Sequence, residues 1–144
     1  MCIVGSIFFA CSASQKTTAK KECLNRLEDF TKTNWNYSSS KGYYEITDSF
    51  KKAIESYQFP CVRGKDTTYI LDLFGRERYE ITDDFPHGWR DTISGAIQYL
   101  TSASLNEKMK VGKSGTEHSV RAYFNDKGKV LKIVPSEVSF NKSH

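Results

Sequence analysis

Apolar residues first gather in an uncharged run from Ile3 to Cys11, and a stretch rich in Ser, Thr, Lys and Gln follows from Ser12 to Lys21. From Ala19 to about Asn34 the pattern turns amphipathic, with Ala19, Cys23, Leu27 and Phe30 at helical spacing and charges elsewhere. That spacing puts one stripe toward a core and predicts a helix. Asn34 to Gly42 reads as a loop by composition, packed down by Trp35 and Tyr37. Phe50, Ala53, Ile54 and Tyr57 fall at i, i+3, i+4 and i+7. They predict a second helix from Asp48 to about Tyr57, capped by Thr47 or Asp48, with Pro60 marking its end. A third, short helix places Tyr69, Ile70, Leu73 and Phe74 on one face. Asp66 is its expected N-cap, accepting from free N–H groups, and Gly75 takes the C′ position, where the left-handed conformation has no steric cost.

After Gly75 the chain leans toward strand. Arg78–Thr82 alternates loosely and Asp83–Gly88 reads as a loop. Thr92–Leu100 fits a strand interrupted by a bulge at Gly95, with helix as the competing assignment. Ser102–Gly115 is polar and reads as a loop or hairpin connection. The clearest hairpin comes last: Ser119–Phe124, a turn at Asn125-Asp126-Lys127-Gly128, then Lys129–Val134. On its first arm Val120, Ala122 and Phe124 face one way, Arg121 and Tyr123 the other. Helices first and strands afterwards predict an α+β fold, N-terminal helices packed on an antiparallel three- to four-stranded sheet, a helix pair followed by a β-meander.

With 144 residues the chain suits one domain. At 38% hydrophobic and 26% charged it is too apolar for a disordered tail and too polar for a polytopic membrane protein. A net charge of +4 is mildly basic and falls short of the dense patch that nucleic-acid binding requires. The run Ile3–Cys11 would span only about 14 Å as a helix, against about 30 Å of bilayer hydrocarbon. It fits instead the apolar region of an export signal.

A small residue followed at once by cysteine closes that run. Phe8-Phe9-Ala10-Cys11 resembles a bacterial lipoprotein lipobox, although Phe8 and Phe9 stand where Leu and a small residue are usual and no positive n-region precedes them. The resemblance implies cleavage before Cys11 and acylation of its thiol. Multiple acyl chains would meet the two-signal requirement for stable anchoring. The plain alternative is an apolar N-terminus with ordinary cysteines. On the lipoprotein reading, residues 1–10 are a signal-peptide remnant, 11–18 a tether after the lipidated cysteine, and 19–140 a single α+β domain. Cys2 then leaves with the signal. Cys23 and Cys61 remain, either as a disulfide in an oxidising compartment or as two buried thiols. No C-x-x-C or paired-His spacing suggests zinc, so no metal or cofactor is expected.

The segment Pro60–Gly75 has a glycine, Gly64, leading a capped short helix that ends apolar-apolar-Gly. A meander follows, closing on the hairpin Tyr123-Phe124-Asn125-Asp126-Lys127-Gly128-Lys129-Val130. Over about residues 60–134 this resembles the small lipoprotein modules of SmpA/OmlA type, which in turn resemble the β-lactamase inhibitor protein repeat. Arg76-Glu77-Arg78 stands where that family often has a proline. The resemblance implies a helix pair on one face of a three-stranded antiparallel sheet and a non-catalytic scaffold, tethered to a membrane, that binds other proteins.

Sites for chemistry are sparse. His87, His118 and His144 form no metalloprotease motif, and no nucleophile elbow exists. Gly112-Lys113-Ser114 resembles the end of a phosphate-binding loop, yet Glu107 occupies the position of its required first glycine. Asp83, Asp84 and His87, beside Trp89, are the weakest option, an enzymatic loop site. The aromatic content is more informative, because Trp, Tyr and Arg are favoured at interface hot spots. Trp89, Tyr99, Arg121 and Tyr123 are expected to share a sheet face opposite the helices, as a recognition surface or as a face covered by loops or the N-terminal helix. The expected function is that of a non-catalytic, membrane-anchored lipoprotein in the bacterial cell envelope, the outer membrane by preference. It would hold the membrane through acyl chains on Cys11 and bind envelope proteins, with no nucleic acid or small-molecule substrate. The alternative is an inhibitor or immunity-type protein that blocks a partner enzyme through its exposed sheet face.

Overall fold

The computed structural model describes residues 7–83, 92–101 and 114–141, with side chains over 13–83, 92–101 and 116–138. The chain opens with helix α1 (Ile7–Asn34) and a hairpin of β1 (Trp35–Ser38) and β2 (Tyr43–Ile46). Helix α2 (Asp48–Glu55), a 3₁₀ turn (Pro60–Val62) and helix α3 (Thr67–Phe74) come next. Strands β3 (Tyr79–Thr82), β4 (Gly95–Leu100), β5 (Ser114–Phe124) and β6 (Val130–Asn141) then form one antiparallel sheet in chain order. The fold is α+β, with helices preceding a β-meander, as the sequence pattern predicts.

Helix α1 starts at Ile7 rather than Ala19, so the polar segment read as a tether is helical. Neither glycine nor proline interrupts it, and loss of the apolar stripe does not by itself end a helix of Ala, Lys, Gln and Thr. The stripe decides burial instead. Cys23, Leu27 and Thr31 are buried at every fourth position, whereas every side chain from Ala13 to Glu22 is exposed. Asn34 ends the helix: its Nδ2 donates to the Phe30 carbonyl and its Oδ1 accepts from the Thr47 hydroxyl.

The segment expected as a loop after Asn34 contains β1, which pairs with β2 in the register Trp35↔Ile46 and Tyr37↔Tyr44. Composition misled here because one face of this short hairpin is buried by tertiary packing. Trp35 lies in the core, its indole 4.8 Å from the Tyr44 ring and its Nε1–H donating to the Phe74 carbonyl. Thr47 caps α2, its hydroxyl oxygen accepting from the Phe50 N–H at 3.1 Å. Phe50, Ala53 and Ile54 are buried as expected. Tyr57 is not, because the helix ends at Glu55 and leaves that ring 60% exposed. The N–H groups of Tyr57 and Gln58 return to the carbonyls of Ile54 and Ala53. This is the bonding of a Schellman cap, with tyrosine at φ +53 in the seat glycine usually takes.

At α3, Asp66 occupies the N-cap position but its carboxylate makes no capping bond; it accepts from Lys129 Nζ at 2.6 Å. That contact ties the helix start to the β5–β6 turn, as does the Thr67 N–H donating to the Gly128 carbonyl. Gly95 opens β4 and does not bulge. A Cβ there would lie 2.7 Å from Cζ of Phe124, its cross-strand partner. The register irregularity falls instead between Tyr123 and Phe124. Strand β5 begins at Ser114, inside the segment expected as connection. Helices and hairpin cover the sheet face formed by Ile97, Tyr99, Val120, Ala122 and Ile133, and this contact is the core, together with Leu27, Trp35, Phe50, Ile70 and Phe74.

Candidate functional site

Three places hold the residues singled out by sequence. The first is α1. Cys11 lies in its N-terminal half, separated from the buried half by a polar helical stem, residues 13–22, whose side chains are exposed. From Cys11 to Glu22 this stem rises about 18 Å. No described helix is long and apolar enough to cross a membrane.

The second is the junction of α1 with the 3₁₀ turn. Cys23 and Cys61 are joined by a disulfide with their Cα atoms 6.0 Å apart. Both residues are buried. Of the two readings open for this pair, the structure contains the bond.

The third is the sheet face turned away from the helices. The register Gln98↔Arg121 and Ala96↔Tyr123 places these four residues on it. Arg121 Nε donates to Gln98 Oε1 at 2.6 Å, and Gln98 Nε2 donates to Glu117 Oε1 at 3.4 Å, a polar ladder from β4 to β5. Beside it Tyr123 packs with Ile93 and Ala96, with Leu131 and Val134 against them. Lys132 Nζ stands 5.8 Å from the centre of the Tyr123 ring, and partial burial lowers this ammonium below the usual lysine range.

Two features of the expected recognition surface need correction. Tyr99 pairs with Val120 on the opposite, helix-covered face and is fully buried, its hydroxyl donating to the Gly75 carbonyl. The register Tyr99↔Val120 and strand alternation separate it from Arg121 and Tyr123. Arg121 and Tyr123 do share the outer face, but at 7% and 3% exposure they do not form an open aromatic surface. Trp89 lies outside the described residues. So do Asp84 and His87 of the weakest site, and His144, Gly112 and Lys113; Asp83 is exposed. His118 Nδ1 lies 3.4 Å from Glu137 Oε2 on the helix side of the sheet. Among the described residues, no group of three or more His, Cys, Asp or Glu side chains is placed to hold a metal ion.

Sequence reasoning missed an exposed aromatic, Tyr57, because an unbroken helical period carried it onto the buried stripe. Pro60, three positions later, is the signal that the helix closes before it. No protein-family model, curated protein or solved structure matches the chain.

Proposed function

We propose that the protein is a lipid-anchored module of the bacterial cell envelope, held to a membrane, the outer one by preference, by acyl chains on Cys11. It acts by binding another envelope protein and not by catalysis, with residues 60–134 as an SmpA/OmlA-like module. The observation that carries this reading is the division of labour within α1. The half containing Cys11 continues into a polar stem, residues 13–22, with every side chain exposed, and the other half is covalently fastened to the domain by Cys23–Cys61. A stem without buried contacts contributes nothing to the core, yet it suits a spacer between an anchor and a folded unit. The disulfide belongs with an oxidising compartment, where an exported lipoprotein would reside.

Metabolic labelling with a palmitate analogue in a bacterial host tests the reading. The wild-type chain is expected to incorporate label in the membrane fraction and to begin at Cys11 by mass. Cys11→Ala is expected to lose the label and leave the membrane. An unlabelled, uncleaved and freely soluble wild type would overturn the proposal.

A further inference from the structure

A groove of about 470 Å³ lies between the end of α2, the 3₁₀ turn and the first residues of β6. Ile54, Val62, Ile93, Leu131 and Ile133 are among the residues forming its wall, and Tyr57, Arg63 and Lys132 also line it. No acidic side chain is among the described lining residues. Arg63 is exposed, so the positive charge at the groove includes a guanidinium within reach of a ligand.

We propose that this groove docks an acidic peptide segment of a partner protein: one apolar side chain enters between α2 and β6, Tyr57 covers it, and the exposed Arg63 meets a flanking carboxylate. The proposal names the partner chemistry of the protein-binding reading and rests on it. Two observations support it. Among its described residues the wall is apolar and carries no acidic side chain beside the exposed Arg63, which is complementary to an apolar residue set among acids. Tyrosine and arginine are the residue types that dominate interface energetics. Tyr57 is also held at φ +53, where glycine or asparagine is the ordinary choice for a helix cap. A bulky aromatic in that strained seat, with 60% of its surface exposed, does little for the fold. Such strain persists chiefly at functional positions. The groove is open to solvent. A peptide keeps its polar backbone there and buries only a side chain.

The test uses the full-length ¹⁵N-labelled chain, titrated with the capped hexapeptide Glu-Asp-Phe-Glu-Asp-Glu. Controls replace its phenylalanine with alanine or its acids with lysines, and a separate arm uses dodecanoate. The acidic peptide is expected to shift the amides of Ile54, Val62, Arg63 and Ile133, and both control peptides to lose most of that response. Arg63→Glu is expected to weaken binding about tenfold. Tyr57→Gly is expected to weaken binding while raising Tm by about 4 °C, because glycine relieves the cap. A merely structural tyrosine would not separate those two readouts. Unchanged affinity in Tyr57→Gly, peptide shifts that avoid the groove, or shifts with dodecanoate alone would overturn the proposal. Cys11 labelling is unaffected by any of these results, so failure of the groove and failure of the anchor are distinguishable.

Discussion

Gly75 closes α3 at φ +104 and ψ 166, a backbone region that essentially only glycine occupies. Space is short there as well: a Cβ would lie 2.9 Å from the Tyr44 hydroxyl and 2.8 Å from Glu77 Oε2. The reason is a set of aromatic donors gathered on the carbonyls that follow the helix. Trp35 Nε1–H donates to Phe74, the Tyr99 hydroxyl to Gly75 and the Tyr44 hydroxyl to Glu77. Each ring buries a large apolar body and presents its polar tip to an orphan carbonyl. Gly75→Ala therefore combines backbone strain with displacement of Tyr44, and is expected to cost about 1–3 kcal/mol or more. Gly64 provides the comparison: its φ is +86, but a Cβ there meets nothing within 4 Å. Urea denaturation should show Gly75→Ala losing clearly more stability than Gly64→Ala, with m unchanged. Equal losses would mean that the Tyr44 contact contributes nothing.

Among the elements, those with a complete local signal were legible in sequence. Thr47 with Phe50, Ala53 and Ile54 marked α2, and the Asn125–Gly128 turn marked β5–β6. The turn works as its composition implies, Asn125 Oδ1 accepting from the N–H groups of Lys127 and Lys129. What was not legible depended on distant partners. The β1–β2 hairpin is defined by Trp35 and Tyr44 meeting Phe74 and Tyr99, residues far along the chain. Asp66 is diverted from its helix by Lys129, and the face of Tyr99 is set by its register with Val120 on β5, which no local pattern in the sequence carries. Cys23–Cys61 was legible only as a possibility, since spacing in sequence carries no distance. With a sequence separation of 38, the bond should contribute about 4 kcal/mol in the chain-entropy model. The Cys23→Ser, Cys61→Ser double variant is expected to lose stability of that order in denaturant unfolding, and reductant should act on the wild type alone. Identical wild-type curves with and without reductant would contradict it.

Tyrosine hydroxyls link separate parts of the whole molecule. Tyr69 on α3 donates to Glu28 on α1, while Tyr44 and Tyr99 reach the chain after α3 from the hairpin and from β4. Burial, then nearby Glu77, pushes the Tyr44 phenol up to about 12 from 10.0. Burial followed by Glu28 raises Tyr69, and burial followed by Tyr44 and Tyr79 raises Tyr99. In each case the folded state favours the neutral phenol, so the unfolded chain loses its protons first as pH rises. This stabilisation is fully present below about pH 10 and declines above it, falling through about 12 for Tyr44. Thermal unfolding followed by tyrosinate absorbance is expected to show Tm dropping across that interval, with a shallower fall in Tyr69→Phe. Ionisation of these rings at the ordinary phenol value in the folded protein would contradict this assignment.

The sulfur bridge also determines how the molecule bears tension. A pull on the leading turns of α1 reaches Cys23 and crosses directly to Cys61, bypassing the covalent loop that contains the small hairpin and α2. Those parts carry no load while the bridge is intact, and about 130 Å of backbone stays out of reach of stretching. Beyond the exposed stem of α1, force travels instead through α3 and into the meander.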